Sequence, residues 1–537
     1  MIVLTLLISL PVPYTSGAQA PPLLSLANPS LKKPVTGYSS PAEVRDRRPS
    51  APIKQRPSKW PQHYSRLDDL YTWITAYERL YPDLIEVYDI GDSYCKQKGT
   101  CRTPGGDLLQ GRDILAVRIT KETAKYPKKG RLWIDGGLHA RELPTVALVK
   151  EFIRYLVEGY GRDGQITYLL NHRELYAGIC SNPDGRLLVE LGTEHPYNGS
   201  PWSWRKNAHH EPGYYLWPPV DDDSMYGVDL NRNHAFKWGL RSGSDSNPWE
   251  ETFHGTYPAS EPETQAYEGF VSSLFPDQRG PADKDAAPQE STGLLLNFHS
   301  RMSHPGAILV PWGWTQALAP NYADLAAIAK GYAAFTGYEV MNGFYPVSGS
   351  TRDWGYGTLG IPSYTIELPG SMFFAPAEEL AATLSANMPP LLFMLGISDR
   401  PYLRIHGPKT TVLHMPEVVE TGEKVTIRAR LDDSRSGGQA IAGAEVLIGR
   451  QDGVNLDVPF PEPGRPAGKG LSVRAVDERF DETSEEGIVE LDTSRLTPGR
   501  YYVVVRGRDA DGFWGPETAN LLEIRSPNPP EHRHRGD

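Results

Sequence analysis

Apolar positions along the chain follow two periods that alternate from Trp60 onward. Leu67, Leu70, Tyr71, Ile74 and Tyr77 stand at helical spacing, and the run Leu84–Ile90 reads as a strand. Asp113–Ile119 and Leu132–Ile134 read as two more strands. Val146, Leu148, Val149, Phe152, Ile153 and Leu156 return to the helical period. Strand Leu175–Cys180 then leads into a turn at Asn182-Pro183-Asp184-Gly185. Strands alternating with helices predict an α/β unit whose mixed central sheet is flanked by helices and joined by crossovers. That pattern runs to about Met394. After Pro401 the runs shorten to Lys424–Arg430, Ala444–Ile448, Gly487–Leu491 and Tyr501–Arg506, the pattern of a small all-β sandwich of Ig-like type.

The ends of the chain break the pattern. Ile2–Leu10 is short and apolar, and Ala18-Gln19-Ala20 has the small-residue signature of a signal-peptidase site, so residues 1–20 are expected to be a signal peptide. No Lys or Arg precedes the apolar run, and a cut after Ala18 would avoid Pro21. Residues 21–58 are rich in Pro, Ser, Lys and Arg and read as a disordered basic linker. Folded units are expected over 59–400 and 404–526, with a disordered tail over 527–537. No other segment is read as approaching a membrane span.

Composition narrows the class. The chain has 537 residues, 39% hydrophobic and 23% charged, which fits a soluble protein too long for one core. A formal net charge of −11 sets aside nucleic acid as the main partner. Cys95 and Cys101 share the polar loop SYCKQKGTC and could close a small disulfide or remain reduced. Cys180, in LYAGIC, reads as a buried free thiol. Export, to the periplasm or outside the cell, and a monomeric state are expected.

The candidate chemistry centres on Leu132–Thr145, LWIDGGLHARELPT, where an apolar run ends in two glycines before His139 and Glu142. The local picture is strand, tight loop, helix, with an imidazole and a carboxylate presented from the loop. A His-x-x-Glu alone is most often a pair of surface residues. A catalytic zinc needs a third protein ligand and an open water position, and Leu294–Phe298 stops at His299 as such a ligand should. In GVDLNRN (Gly227–Asn233), Asn231 and Arg232 offer an amide and a guanidinium fork for a carboxylate, and Asp229 could orient a ligand imidazole. Arg205 in WRK supplies another guanidinium, and Glu367 is a lone acid in the apolar run Tyr364–Leu368. Gly159–Gly164 matches the dinucleotide-binding spacing but follows a helix, so it reads as a loop.

HARE, NPDG, WRK, GVDLNRN, HGTYPASEPET, NFHS, Tyr345 with SGSTRDW, and TIEL stand here in one order. From about residue 60 to 400 the chain therefore resembles the zinc metallocarboxypeptidases of the carboxypeptidase A, B and T type. The resemblance implies one Zn²⁺ held by His139, Glu142 and His299, with Asp229 holding the first imidazole. It also implies that Asn231, Arg232 and Tyr345 bind the free C-terminal carboxylate of a peptide or protein. Arg205 would stabilise the oxyanion, Glu367 would be the general base, and Arg141 would contact substrate further from the cut. Residues 21–58 are too short and polar to be the folded inhibitory pro-domain of the digestive members.

At the family position for the base of the pocket that takes the departing side chain stands Arg352. A buried guanidinium there would select C-terminal Glu or Asp, unless it pairs with a neighbouring acid such as Asp353 or folds out. After the HS of the strand end, where many members have an aromatic, this chain has Arg301. Asp221–Asp223 could bind calcium but reads more simply as a solvated loop. Two other readings stand beside the peptidase: a zinc amidase or deacylase on cell-wall peptides or N-acyl amino acids, and an inactive peptidase-like binding protein. No Gly-x-Ser-x-Gly elbow supports a serine hydrolase.

Overall fold

The computed structural model describes residues 60–102, 108–122, 129–194, 197, 199–210, 227–240, 243–302, 305–451 and 470–527. The expected signal peptide, the linker, nearly all of the tail and Asp221–Asp223 lie outside them. The first sheet contains β1 (Ile85–Asp92), β2 (Asp113–Ile119), β3 (Gly130–Asp135), β4 (Arg173–Gly178), β5 (Leu294–Met302), β6 (Ala307–Leu309), β7 (Glu339–Met341) and β8 (Ser363–Pro369). Their order across the sheet is β1-β2-β4-β3-β5-β8-β6-β7. The centre, β4-β3-β5-β8, is parallel, and β1, β2 and β6 pair antiparallel at the flanks, so the sheet is mixed as expected.

Parallel strands need crossovers, and helices supply them. Helix Leu143–Gly159 follows β3. It starts three residues before Val146, where the apolar period begins, because Pro144 sits in its first turn, where its missing N–H is not needed. Its buried stripe is Leu143, Val146, Leu148, Val149, Phe152, Ile153, Leu156 and Val157, packed on β3 and the helix Ala377–Ile397. Gly136 and Gly137 make the β3-to-helix turn possible. A Cβ on Gly136 would come within 2.7 Å of the Thr145 carbonyl carbon, and Gly137 has φ +71°.

Two expectations change. Asn182-Pro183-Asp184-Gly185 is not an isolated turn but the start of helix Pro183–Leu191. Asn182 caps it by accepting from the Gly185 N–H at 3.0 Å, with Pro183 in the first helical turn. The helix Ala377–Ile397 is also long and apolar enough, by length and composition, to cross a membrane, which the sequence reading passed over. Here it is a core helix: Leu380, Met388, Leu391, Met394, Leu395 and Ile397 are buried. Asn387 in its middle donates to Tyr338 Oη at 2.9 Å and accepts from Tyr332 Oη.

Beyond residue 408 a second, all-β layer pair appears: β9 (Lys409–His414), β10 (Val418–Glu420), β11 (Lys424–Asp432), β12 (Ile441–Arg450), β13 (Leu471–Ala475), β14 (Ser484–Asp492), β15 (Gly499–Asp509) and β16 (Thr518–Arg525). Val473 of β13 pairs with β12, whereas Arg474 and Ala475 pair with β14, so β13 passes from one layer to the other. The run Tyr501–Val505 explains how this unit is held. Tyr501, Val503 and Val505 enter its own core, while Tyr502 and Val504 join the core of the first unit with Leu447 and Ala519. A strand apolar at every position is one covered on both faces.

A buried charge network sits at the same junction. Arg404 Nη2 lies 2.8 Å from both Asp399 and Glu517, and Arg173 Nη2 lies 3.0 Å from Asp399 and 3.5 Å from Glu517. All four side chains are below a tenth exposed. Removing one acid from such a network strands buried guanidinium groups at a cost of about 3–5 kcal/mol. Glu517→Ala is therefore expected to lower whole-protein stability by about that amount in denaturant unfolding, whereas an exposed pair such as Lys424–Glu490 should be silent when cut.

Candidate active site

The parallel centre of the sheet places three chain segments at one carboxyl edge. The loop after β3 carries His139 and Glu142, the end of β5 carries His299, and β8 carries Glu367, which is the register partner of His299. His139, Glu142 and His299 are all buried, and their donor atoms lie within 4.8 Å of one another. His139 Nδ1 is 2.9 Å from Glu142 Oε1, His299 Nδ1 is 3.1 Å from Glu142 Oε2, and the two Nδ1 atoms are 3.0 Å apart.

This donor set fits a zinc ion. Two imidazole nitrogens and a carboxylate converge, the three-ligand set of a zinc site that keeps a fourth position open. The outer ring nitrogens are fixed as a metal site needs. His139 Nε2 faces Asp229 Oδ1 at 3.1 Å, and His299 Nε2 faces Asn297 Oδ1 at 2.5 Å. Asn297 in turn donates to the buried Asp135 at 2.6 Å. Burial opposes ionisation of Glu142, but the two imidazoles outweigh it and hold the carboxyl below its usual range.

Asp229 is fully buried and serves several partners. Arg205 Nη2 and Nε donate to its Oδ2 at 2.8 and 3.1 Å, and the Asn231 N–H donates to Oδ1 at 2.9 Å. Burial pushes its pKa up, but the Arg205 and Arg232 guanidinium groups hold it well below the usual carboxylate range. Glu367 is balanced the other way. Burial raises its pKa and Glu142 adds to this, outweighing the lowering by His299, Arg205 and Arg352.

The cavity these groups line has a volume of about 850 Å³. His139, Glu142, Arg205, Asn231, Arg232, His299, Tyr345, Arg352 and Glu367 all face it, so most of the residues singled out from sequence meet in one place. Asn231 Oδ1 accepts from the Thr351 N–H at 3.0 Å, and its amide nitrogen lies 3.2 Å from His299 Nε2. Arg232 Nη1 donates to the Asn231 carbonyl at 3.0 Å, and Nη2 lies 3.4 Å from Tyr345 Oη, which stands half exposed at the mouth. Arg141 does not line the cavity. It is engaged by Glu251 at 2.8 and 3.3 Å and covers the Phe373 ring.

Arg352 is the energetic anomaly. It is 3% exposed, and among the described residues its Nε and Nη1 have no hydrogen-bond partner. Asp353 is not a full counter-ion: its Oδ1 is 3.8 Å from Arg352 Nε, and its oxygens accept instead from the Gly313 and Trp314 N–H groups at 2.8 Å. The guanidinium is nested against backbone, since a Cβ on Gly313 would stand 2.1 Å from Nη2. Burial drives the pKa of Arg352 down, against the pull of Asp353 and Glu367.

Three residues of the site were not singled out from sequence. Asn297 was within reach, because it lies two positions before His299 in a strand and so on the same face. Glu251 and Phe373 come from irregular loops and carried no periodic signal. Cys95 and Cys101 close a disulfide, and Cys180 is a buried free thiol.

Comparison with known proteins follows this geometry. The zinc carboxypeptidase family model matches residues 70–389, ending before the second all-β unit. Carboxypeptidase A1 of Rattus norvegicus is 28% identical over 347 residues, 62% of this chain and 69% of that protein. Carboxypeptidase O of Bos taurus is 27% identical over 350 residues, 62% of this chain and 78% of that protein. A crystal structure of thrombin activatable fibrinolysis inhibitor shares the fold, with a TM-score of 0.50 at 23% identity over 63% of this chain and 74% of that one.

A buried guanidinium lacking partners is a stability defect. Arg352→Met, of similar reach without the charge, is expected to raise stability by about 1–3 kcal/mol. Urea unfolding that shows a loss instead would mean that the charge is compensated inside the protein.

Proposed function

Because the chain belongs to the zinc carboxypeptidase family, we propose that it removes C-terminal residues one at a time from exported or extracellular peptides, favouring Glu and Asp. It is a zinc-dependent hydrolase of peptide bonds. The observation that carries the reading is the convergence of His139, Glu142 and His299 within 4.8 Å, in a cavity that Glu367 also lines.

A zinc ion in this donor set would lower the pKa of bound water and polarise the scissile carbonyl. The protein's own groups do the rest. Glu367, whose burial favours holding a proton, accepts one from the attacking water and passes it to the leaving amine. Arg205 is clamped on Asp229 by two donors, so its guanidinium is fixed before charge develops on the substrate oxygen. Asn231 and Arg232 face the cavity beside Tyr345 and suit a terminal carboxylate, which limits cleavage to the last bond.

The acidic preference is supported by Arg352. An incoming Glu or Asp side chain supplies the hydrogen-bond acceptors that its Nε and Nη1 lack. An apolar side chain would leave the guanidinium buried without a partner, and a Lys or Arg would add a like charge. Export is supported by the Cys95–Cys101 disulfide, which suits an oxidising compartment.

Two measurements test the proposal. Glu367→Gln is expected to retain zinc, by metal analysis, while turnover falls by about 10²–10⁴; near-normal turnover in the zinc-loaded variant would remove Glu367 as base. Peptides ending in Glu, Phe and Lys should be cleaved in that order of kcat/KM, and Arg352→Leu should move Phe ahead of Glu. Faster release of Phe or Lys by the unaltered enzyme would end the acidic reading.

A further inference from the structure

Beyond the terminal-residue pocket, the cavity carries a second cation with nothing to meet. Arg301 lines the cavity and is exposed at the end of β5, two residues past His299. Among the described residues its one hydrogen-bond partner is the Ser371 carbonyl, which Nη1 meets at 3.1 Å. Its guanidinium stands 5.2 Å from the centre of the Phe373 ring, and Arg141 covers the same ring at 4.4 Å. The two cations differ in one respect. Arg141 is neutralised by the paired contacts with Glu251, whereas among the described residues no acid stands within ion-pair distance of Arg301. Glu379 lines the same wall and keeps its charge, its two oxygens accepting from the Ser371 N–H at 2.6 Å and the Ser371 hydroxyl at 2.8 Å.

The positions of Arg352 and Arg301 separate their roles. Arg352 feels Glu367 and Arg232, the groups around the terminal carboxylate, while Arg301 groups with Phe373 and Ser371. Asn231, Arg232, the three metal-ligand candidates, Arg301, Ser371 and Phe373 line one cavity, so a peptide with its last carboxylate on Asn231 and Arg232 would bring its penultimate side chain towards that second wall. We propose that Arg301 pairs with an acidic penultimate side chain, so that the substrates are chains ending in consecutive Glu or Asp residues. This rests on the carboxypeptidase reading and on that peptide direction; the penultimate contact is independent of Arg352, whereas the consecutive acidic ending needs both cations. Each release would present a new acidic pair to the same two cations, which makes the cleft suited to trimming an acidic tail stepwise. An exposed charge pair of this kind is worth about a two- to fivefold preference.

The test uses four peptides that combine Glu or Phe at the end with Glu or Ala before it. With the zinc-loaded enzyme, penultimate Glu should exceed penultimate Ala in kcat/KM by about two- to fivefold in both series. That ratio should fall towards one in Arg301→Gln and survive in Arg301→Lys, while the ratio of terminal Glu to terminal Phe holds. Binding of the same peptides to the Glu367→Gln protein, followed by fluorescence anisotropy, should give the same penultimate ratios without turnover. A penultimate ratio of one or less in the unaltered protein, or one unchanged by Arg301→Gln, overturns the proposal. Loss of the terminal ratio with the penultimate ratio intact would overturn the Arg352 reading alone.

Discussion

Parallel pairing of β3, β5 and β8 is the constraint on which this site depends. Leu132 to Asp135 align with Leu294 to Asn297, and His299 aligns with Glu367, so the carboxyl ends of three strands meet at one edge. His139 and Glu142 then need only a tight loop to reach His299. Gly136 and Gly137 provide it, because a side chain on the first would strike Thr145 and the second adopts a left-handed turn. A one-residue slip of β5 would turn His299 to the opposite face and leave Glu142 and His139 without a third donor.

The electrostatics of the cleft follow from burying charges beside each other. Asp229 stays ionised because Arg205 and Arg232 flank it, and in doing so it anchors His139 and fixes Arg205. Arg352 is buried too, but among the described residues its Nε and Nη1 find no such satisfaction. The contrast is within the cleft itself: Arg205, Asn231 and Arg232 are fixed by partners inside the protein, whereas Arg352 is left to meet substrate.

Much of this was legible in the chain. The apolar periods located β1 to β4 and the long helix after β3, and the short β-branched runs after Pro401 marked the second unit. Ordered motifs named the residues that meet in the cavity. What sequence did not reveal came from tertiary context. Asn182 reads as a turn former because its amide caps either a turn or a helix, and only the packed Leu188 and Val189 decide for the helix. Ala377–Ile397 is long and apolar because its inner side packs on the sheet and on neighbouring helices, while Glu378, Ser385 and several alanines face outward. Glu251 and Phe373 reach the site from loops, where no period marks a residue as important.

The doubly covered strand β15 bears on how the protein is made. Chains leave the ribosome amino end first, and Ala519, whose N–H meets Gln165 at 2.7 Å, follows it by 354 residues. Until then helix Gly164–His172 presents Gly164, Gln165, Tyr168 and His172 on the side that β15 and β16 will cover. The nascent peptidase half thus spends most of its synthesis with an open seam, and its assembly finishes only when the last strands arrive.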